Sequence, residues 1–453
     1  MTAYLLEHAW LGGPGTARNV RVEVADGRFT RVEPGGVVTG AEPVPGLTLP
    51  GLANTHSHVF HRALRGRTEA ADQDGGGSFW TWRQQMYAVA ARLDPDSLFA
   101  LARATYLEMV LAGITAVGEF HYLHHRPDGS PYPAHAMEQA VAAAAGEAGI
   151  ALTLLDTCYL TADLTGEGAP TRPVEGVQRR FSDGDVGGWC RRVDALAGIL
   201  PADVVLGAAI HSVRAVSRAD LPVVAGWARE HGAPLHVHLS EQPAEDDACR
   251  EAWGCTPTAL LAAADVLGPD LTVVHATHVT DGDVRLLGDA GVHLALCPTT
   301  ERDLADGIAP AGRLVDAGAT LTLGSDSNAV VDLLEEARAA EAHERLATGT
   351  RGRWSSDALL RAATSDGCRA LGRPGDGRIA VGARADLVTL DLGTPRTAGA
   401  LPATAALAAT AADVVRVVTA GEERVARGTA AHHATEVGAE LAVAVRQAWG
   451  EES

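Results

Sequence analysis

His56 and His58 lie two residues apart in the run THSH at 55–58, and side chains two apart in an extended segment share a face. Two imidazoles on one face can bind one cation, although a buried histidine more often only satisfies its own hydrogen bonds. Downstream, His238 and Asp326 also follow strand-like apolar runs, and with the first pair they supply three nitrogens and one oxygen. Such a donor set leaves a position for water, as in a catalytic divalent site, whereas a structural zinc site is closed and usually rich in cysteine. Glu119, His121, His211, His236, His275 and His278 stand at or just past the ends of similar runs. The expectation is that all of them face one mouth.

A scaffold that gathers strand ends is therefore required. Apolar runs of roughly five to nine residues alternate with stretches of helical period rich in Ala, Leu and Arg. Strands are expected near 47–58, 114–121, 150–159, 204–212, 234–240, 271–277, 292–297 and 320–325, with helices over 98–112, 133–148, 220–231 and 331–347. Eight such units over about 320 residues predict an α/β fold, a (β/α)8 TIM-like barrel with its chemistry at the C-terminal strand ends. A doubly wound dinucleotide fold needs G-x-G-x-x-G between a strand and a helix, and none is so placed. Short alternating segments at 19–23 and 28–32 find an echo after residue 372 in GRIAVGARADLVTLDLG and VVRVVTAGEERVARG. The expected organisation is a small β-sandwich domain built from 1–50 and 372–453, the latter with returning strands and a terminal helix, around a catalytic barrel of 51–371.

The 453 residues are about three times a usual domain, and 46% hydrophobic with 21% charged residues excludes a disordered chain. A net charge of −20 argues against nucleic acid and anionic membrane as partners. The N-terminal segment lacks a basic stretch followed by an apolar run, and no apolar run approaches the ~18 residues of a membrane span, so a cytoplasmic protein is expected. All 37 basic residues are arginine. That removes Schiff-base lysines, P-loop lysines and lysine-carbamate metal bridges. The six cysteines form no C-x-x-C and read as small core residues.

THSH at 55–58, HVHLSEQ at 236–242, HATH at 275–278 and LGSDSN at 323–328 resemble the deaminase branch of the amidohydrolase superfamily, and GRIAVGARADLVTLD resembles its return strand into the small domain. FWTWRQQMY at 79–87, GEFHYLHH at 118–125, HSVRAV at 211–216 and DLLEEAR at 332–338 are similar to formimidoylglutamate deiminases. The resemblance covers essentially the whole chain. It implies one divalent metal per chain, most simply Zn2+, on His56, His58, His238 and Asp326. It also implies Glu241 as proton shuttle, His275 as the residue that positions water, and His61, Arg83, Tyr122, His211 and Arg214 as substrate contacts. A homodimer is a further implication. At position 61 this sequence has histidine where glutamine is common among such relatives, which leaves His61's partner atom open between the substrate and the metal loop.

The implied reaction is hydrolysis of N-formimidoyl-L-glutamate to N-formyl-L-glutamate and ammonia, in histidine degradation. Two carboxylates on such a substrate match two guanidiniums, here Arg83 and Arg214. The alternatives are a deaminase of a purine, pyrimidine or other amidine-like group, and a barrel retained only as a scaffold, which should have lost its ligands. The insertion at 66–85 is polar, then aromatic, and is expected to act as a lid, with Phe79, Trp80 and Trp82 packing it. His124 with His125, and His432 with His433, are expected to be solvent-exposed.

Overall fold

The computed structural model describes residues 2–36, 39–68, 79–164 and 171–451. Four strands open the chain: β1 (Thr2–Ala9), β2 (Ala17–Ala25), β3 (Arg28–Glu33) and β4 (Glu42–Pro50). Val20, Val22 and Val24 alternate inward along β2, the period of a strand with one buried face. The middle carries β5 (Leu52–Ser57), β6 (Ile114–His121), β7 (Ala151–Cys158), a ribbon of β8 (Thr161–Asp163) and β9 (Arg172–Pro173), then β10 (Val205–Ile210), β11 (Leu235–Leu239), β12 (Leu271–His275), β13 (His293–Leu296) and β14 (Thr320–Leu323). Three strands return at the end, β15 (Leu387–Leu390), β16 (Val414–Thr419) and β17 (Glu422–Val425).

Eight of the middle strands form one parallel sheet in the order β5-β6-β7-β10-β11-β12-β13-β14, and a parallel bridge between Ser57 and Asp326 joins the last edge to the first. This is the (β/α)8 barrel. Every residue of β6 and β7 is buried, as expected of strands covered on both faces. The two chain ends build a second, mixed sheet in the order β17-β16-β15-β4-β1-β2-β3. It has its own core, around Leu6, Val22, Phe29 and Val418.

The stretch at 47–58, expected as one barrel strand, divides at Gly51 into β4 of the small sheet and β5 of the barrel. Only glycine fits at the division, since a Cβ at Gly51 would stand 2.0 Å from Thr115 Oγ1. The four expected helices are found as Pro95–Leu111, Ala136–Ala148, Leu221–His231 and Leu333–Thr348. Asp94 caps the first of these by accepting from the Ser97 N–H, and Asp332 caps the last by accepting from Leu334 and Glu335. The terminal helix Ala430–Trp449 packs Val437 and Leu441 against Ala104 of the barrel helix Pro95–Leu111. Trp449 Nε1 then donates to the carbonyl of Ala63, just past β5. No described helix is long and apolar enough to cross a membrane.

Candidate active site and metal centre

His56, His58, His238 and Asp326 all come from the C-terminal ends of barrel strands and are nearly fully buried. His238 Nε2 stands 3.1 Å from His56 Nε2 and 3.2 Å from His58 Nε2, and Asp326 Oδ1 lies 3.5 Å from both His56 and His58. His58 Nδ1 lies 2.9 Å from the Phe120 carbonyl, and His238 Nδ1 2.9 Å from the His211 carbonyl. A carbonyl only accepts, so each Nδ1 carries the proton and each Nε2 turns a bare lone pair toward the other. Converging lone pairs in a dry site repel unless a cation stands among them. The residues therefore fit a divalent metal, held by rings whose orientation the backbone fixes.

The backbone at this rim is bent to an unusual degree. Ser240, His275, Ala276, Asp326 and Asn328 have φ of 48°, 70°, 51°, 43° and 56°. Non-glycine residues there cost of order 1–3 kcal/mol each and persist only where the surroundings over-determine them. Asn328 supplies part of that restraint, its Nδ2 donating to Ser57 Oγ and to the carbonyls of His58 and Asp326.

Glu241 and His275 complete the reacting end. His275 Nε2 is 3.8 Å from Glu241 Oε1 and 3.8 Å from Asp326 Oδ2. His275 Nδ1 donates to Glu301 Oε1 at 3.4 Å, and that oxygen also accepts from the Cys297 N–H at 3.0 Å. Burial opposes charge on His275, but Glu241, Glu301 and Asp326 outweigh it and push the imidazole up to about 10. Burial raises the Glu241 carboxyl, with His275 pulling the other way. Such a group can both take and return a proton.

The cavity above these groups brings the other expected residues together: His61, Arg83, Tyr122, His211 and Arg214 all line it. His61 Nε2 hydrogen-bonds the Tyr122 hydroxyl at 2.7 Å, and its ring centroid lies 4.5 Å from that of His58. Burial takes His61 down to about 3, so it is neutral. Arg83 Nε donates to the Tyr87 hydroxyl at 2.8 Å, and its guanidinium lies over the rings of Trp80 and Tyr87. Arg214 Nε is buried without a hydrogen-bond partner, 3.6 Å from Glu245 Oε2.

Several expectations are corrected here. Phe79 and Trp82 line the cavity, with Trp82 5.1 Å from the His61 ring, because the helix Phe79–Ala90 lies across the mouth. Residues 69–78 of the expected lid lie outside the described residues. His124 and His125 are buried: His124 Nδ1 meets Glu138 Oε1 at 2.7 Å and His125 Nε2 meets Asp183 Oδ1 at 3.0 Å. His121 joins that cluster and does not reach the mouth. Although His121, His124 and Glu138 have metal-like spacing, the Arg192 guanidinium, 3.2 Å from Glu138, supplies the positive charge there. His236 and His278 turn to the carbonyls of Ala370 and Asp306.

Tyr159, Tyr87, Gln178 and Glu301 escaped the sequence reading. Tyr159 directly follows β7 and Glu301 lies in the short helix Pro298–Asp303 after β13, so the strand-end rule pointed to both.

Residues 47–424 match the amidohydrolase family. A formimidoylglutamate deiminase of Pseudomonas aeruginosa is 39% identical over 411 residues, 88% of each chain. An 8-oxoguanine deaminase of the same organism is 31% identical over 391 residues, 84% of this chain and 83% of the relative. Among solved structures, an amidohydrolase from Brucella melitensis has a TM-score of 0.88 at 32% identity, covering 99% of this chain and 100% of that one. An adenosine deaminase from Xanthomonas campestris with bound zinc has a TM-score of 0.80 at 23% identity, covering 98% of both, and shows the fold.

Proposed function

This chain belongs to the amidohydrolase family, and from that premise we propose that it hydrolyses N-formimidoyl-L-glutamate to N-formyl-L-glutamate and ammonia. One observation beside the similarity to a formimidoylglutamate deiminase carries the reading: two guanidiniums, Arg83 and Arg214, line the same cavity as the converging imidazoles. Arg83 has no carboxylate within ion-pair distance among the described residues. A substrate with two carboxylates answers both. In this reading the barrel at 51–371 does the chemistry, and the sheet from 1–50 and 372–453 frames it.

His56, His58, His238 and Asp326 would hold one divalent ion, which when bound polarises water enough to ionise near neutral pH. Zinc is the proposed ion, since three imidazoles and a carboxylate are customary donors for catalytic zinc. His275, held in its charged form by the carboxylates around it, orients the attacking water, and Asp326 takes the proton. Glu241 delivers a proton to the imine nitrogen, first on attack and again as ammonia departs. Water is added across R–NH–CH=NH, ammonia leaves, and R–NH–CHO remains. His61 and Tyr122, hydrogen-bonded to each other, face the amidine from one side, and His211 forms the wall beside Arg214. A cytoplasmic setting agrees with six free cysteines, four of them buried. A homodimer is proposed from family membership alone.

The deciding experiment is ammonia release from N-formimidoyl-L-glutamate against a panel of nucleobases and simple amidines. Preferential turnover of the glutamate compound is expected. Faster turnover of a nucleobase would replace this reading with that of a base deaminase.

A further inference from the structure

Arg83 reaches the cavity from the helix Phe79–Ala90 and Arg214 from the turn after β10, and a buried tyrosine also lines that cavity. Tyr159 is 3% exposed, and its ring packs edge-on 4.6 Å from His211 and 5.4 Å from Phe181. Both arginines act on its hydroxyl electrostatically, which places that oxygen within their joint field.

The hydrogen-bond inventory around it does not close. Gln178 Oε1 accepts from the Glu175 N–H at 3.3 Å, which fixes the end of the amide that faces the tyrosines. Gln178 Nε2 then donates to the Tyr159 oxygen at 2.9 Å and to the Tyr87 oxygen at 3.2 Å. Arg83 Nε donates to the same Tyr87 oxygen at 2.8 Å. Both phenol oxygens are thus used as acceptors, and each O–H proton needs a partner. The two hydroxyls adjoin, and the Tyr87 oxygen already accepts from Arg83 and Gln178, so its own O–H turns to Tyr159 and the Tyr159 proton is the one left without a partner. Arg83, Tyr87 and Tyr159 line this side of the cavity with Gln178 behind them, and no described carboxylate forms an ion pair with the Arg83 guanidinium. It lacks an anion.

We propose that Tyr159 is a substrate ligand, its hydroxyl donating to the carboxylate that Arg83 holds, with Gln178 fixing the direction of the O–H. The inference rests on the proposed dicarboxylate substrate and adds a specificity-determining residue to it. Gln178 is a positioning residue, since it acts through the two tyrosines.

Tyr159→Phe keeps the ring and removes only the donor. With metal-loaded enzyme, KM for N-formimidoyl-L-glutamate should rise roughly 10- to 100-fold while kcat changes less than about threefold. Calorimetric binding of the product N-formyl-L-glutamate should weaken by a similar factor. Gln178→Ala should give a smaller KM rise with the hydroxyl still present. Of the two mono-amides of the substrate, the one lacking the carboxylate held by Arg83 should be insensitive to both Tyr159→Phe and Arg83→Gln, which tests contact and not general damage. Wild-type kinetics and binding in Tyr159→Phe would overturn the assignment, as would equal losses on all three compounds. If wild type releases no ammonia from N-formimidoyl-L-glutamate, the substrate reading falls instead. Tyr159-dependent binding of N-formyl-L-glutamate would still support the ligand role, and Tyr159-independent binding would end it.

Discussion

The backbone N–H of His58 donates to the backbone carbonyl of Asp326 at 2.9 Å, and the Asp326 N–H donates to the His56 carbonyl at 2.9 Å. Three of the four proposed metal ligands, His56, His58 and Asp326, therefore also make the seam that closes the barrel. Closing the sheet brings the first pair of donors and the last donor together, so loss of a ligand side chain and loosening of the seam are separable only by experiment.

Purified protein should contain about one divalent ion per chain. His56→Ala or Asp326→Ala should lose most of it while the far-ultraviolet circular dichroism is retained. Elemental analysis finding two tightly held ions per chain would refute the single-metal assignment.

Glu241→Gln preserves shape and removes the titratable group, so metal content should hold while kcat falls by ~10² or more. Turnover near the wild-type rate would demote Glu241 to a structural part.

Arg83→Ala and Arg214→Ala should each lower kcat/KM for N-formimidoyl-L-glutamate by ~2–4 kcal/mol, or roughly 30- to 1000-fold. Metal and fold should survive, because neither arginine is a proposed ligand. Unchanged kinetics in both variants would remove the dicarboxylate from the assignment.

The buried cluster away from the mouth supplies a prediction about pH. Burial opposes ionisation of Glu138, but His124 and Arg192 outweigh it and bring the carboxyl from 4.5 down to about 2. A depressed folded-state pKa stabilises the fold above the unfolded value, and that contribution is lost as pH falls through the folded value. Glu138→Gln should thus cost about 3–5 kcal/mol near neutrality, as when one partner of a buried ion pair is removed. The gap from wild type should narrow from pH 4.5 toward pH 2. Urea midpoints measured between about pH 5 and about pH 3 check this, and a constant gap would rule out the ionic account.

Much of this was legible in the sequence because the barrel writes its chemistry at fixed places. THSH, HVHLSE and LGSDSN each close an apolar run, and the barrel brings the ends of those runs to one mouth. Spacing could not say which way a residue past a strand end would turn. His121 follows the same rule as His238, yet it turns to Glu138 and His124, beside which Arg192 stands on another helix. Gln178 was illegible for a different reason: a glutamine acquires meaning only through the donors and acceptors around it. The need for glycine at the division was hidden because the close neighbour there is Thr115, sixty-odd positions along the chain.

The place of β4 in the small sheet sets a timetable for synthesis. It lies between β1 and β15, so one of its edges waits for residues 387–390 while the other is already paired. At ~5–20 residues per second, the wait from residue 50 lasts roughly 15 to 70 seconds, during which a strand bearing Leu47 and Leu49 has an open edge on the ribosome. Slow or crowded translation of this chain should then expose its first fifty residues to partners long before the barrel they will frame has been made.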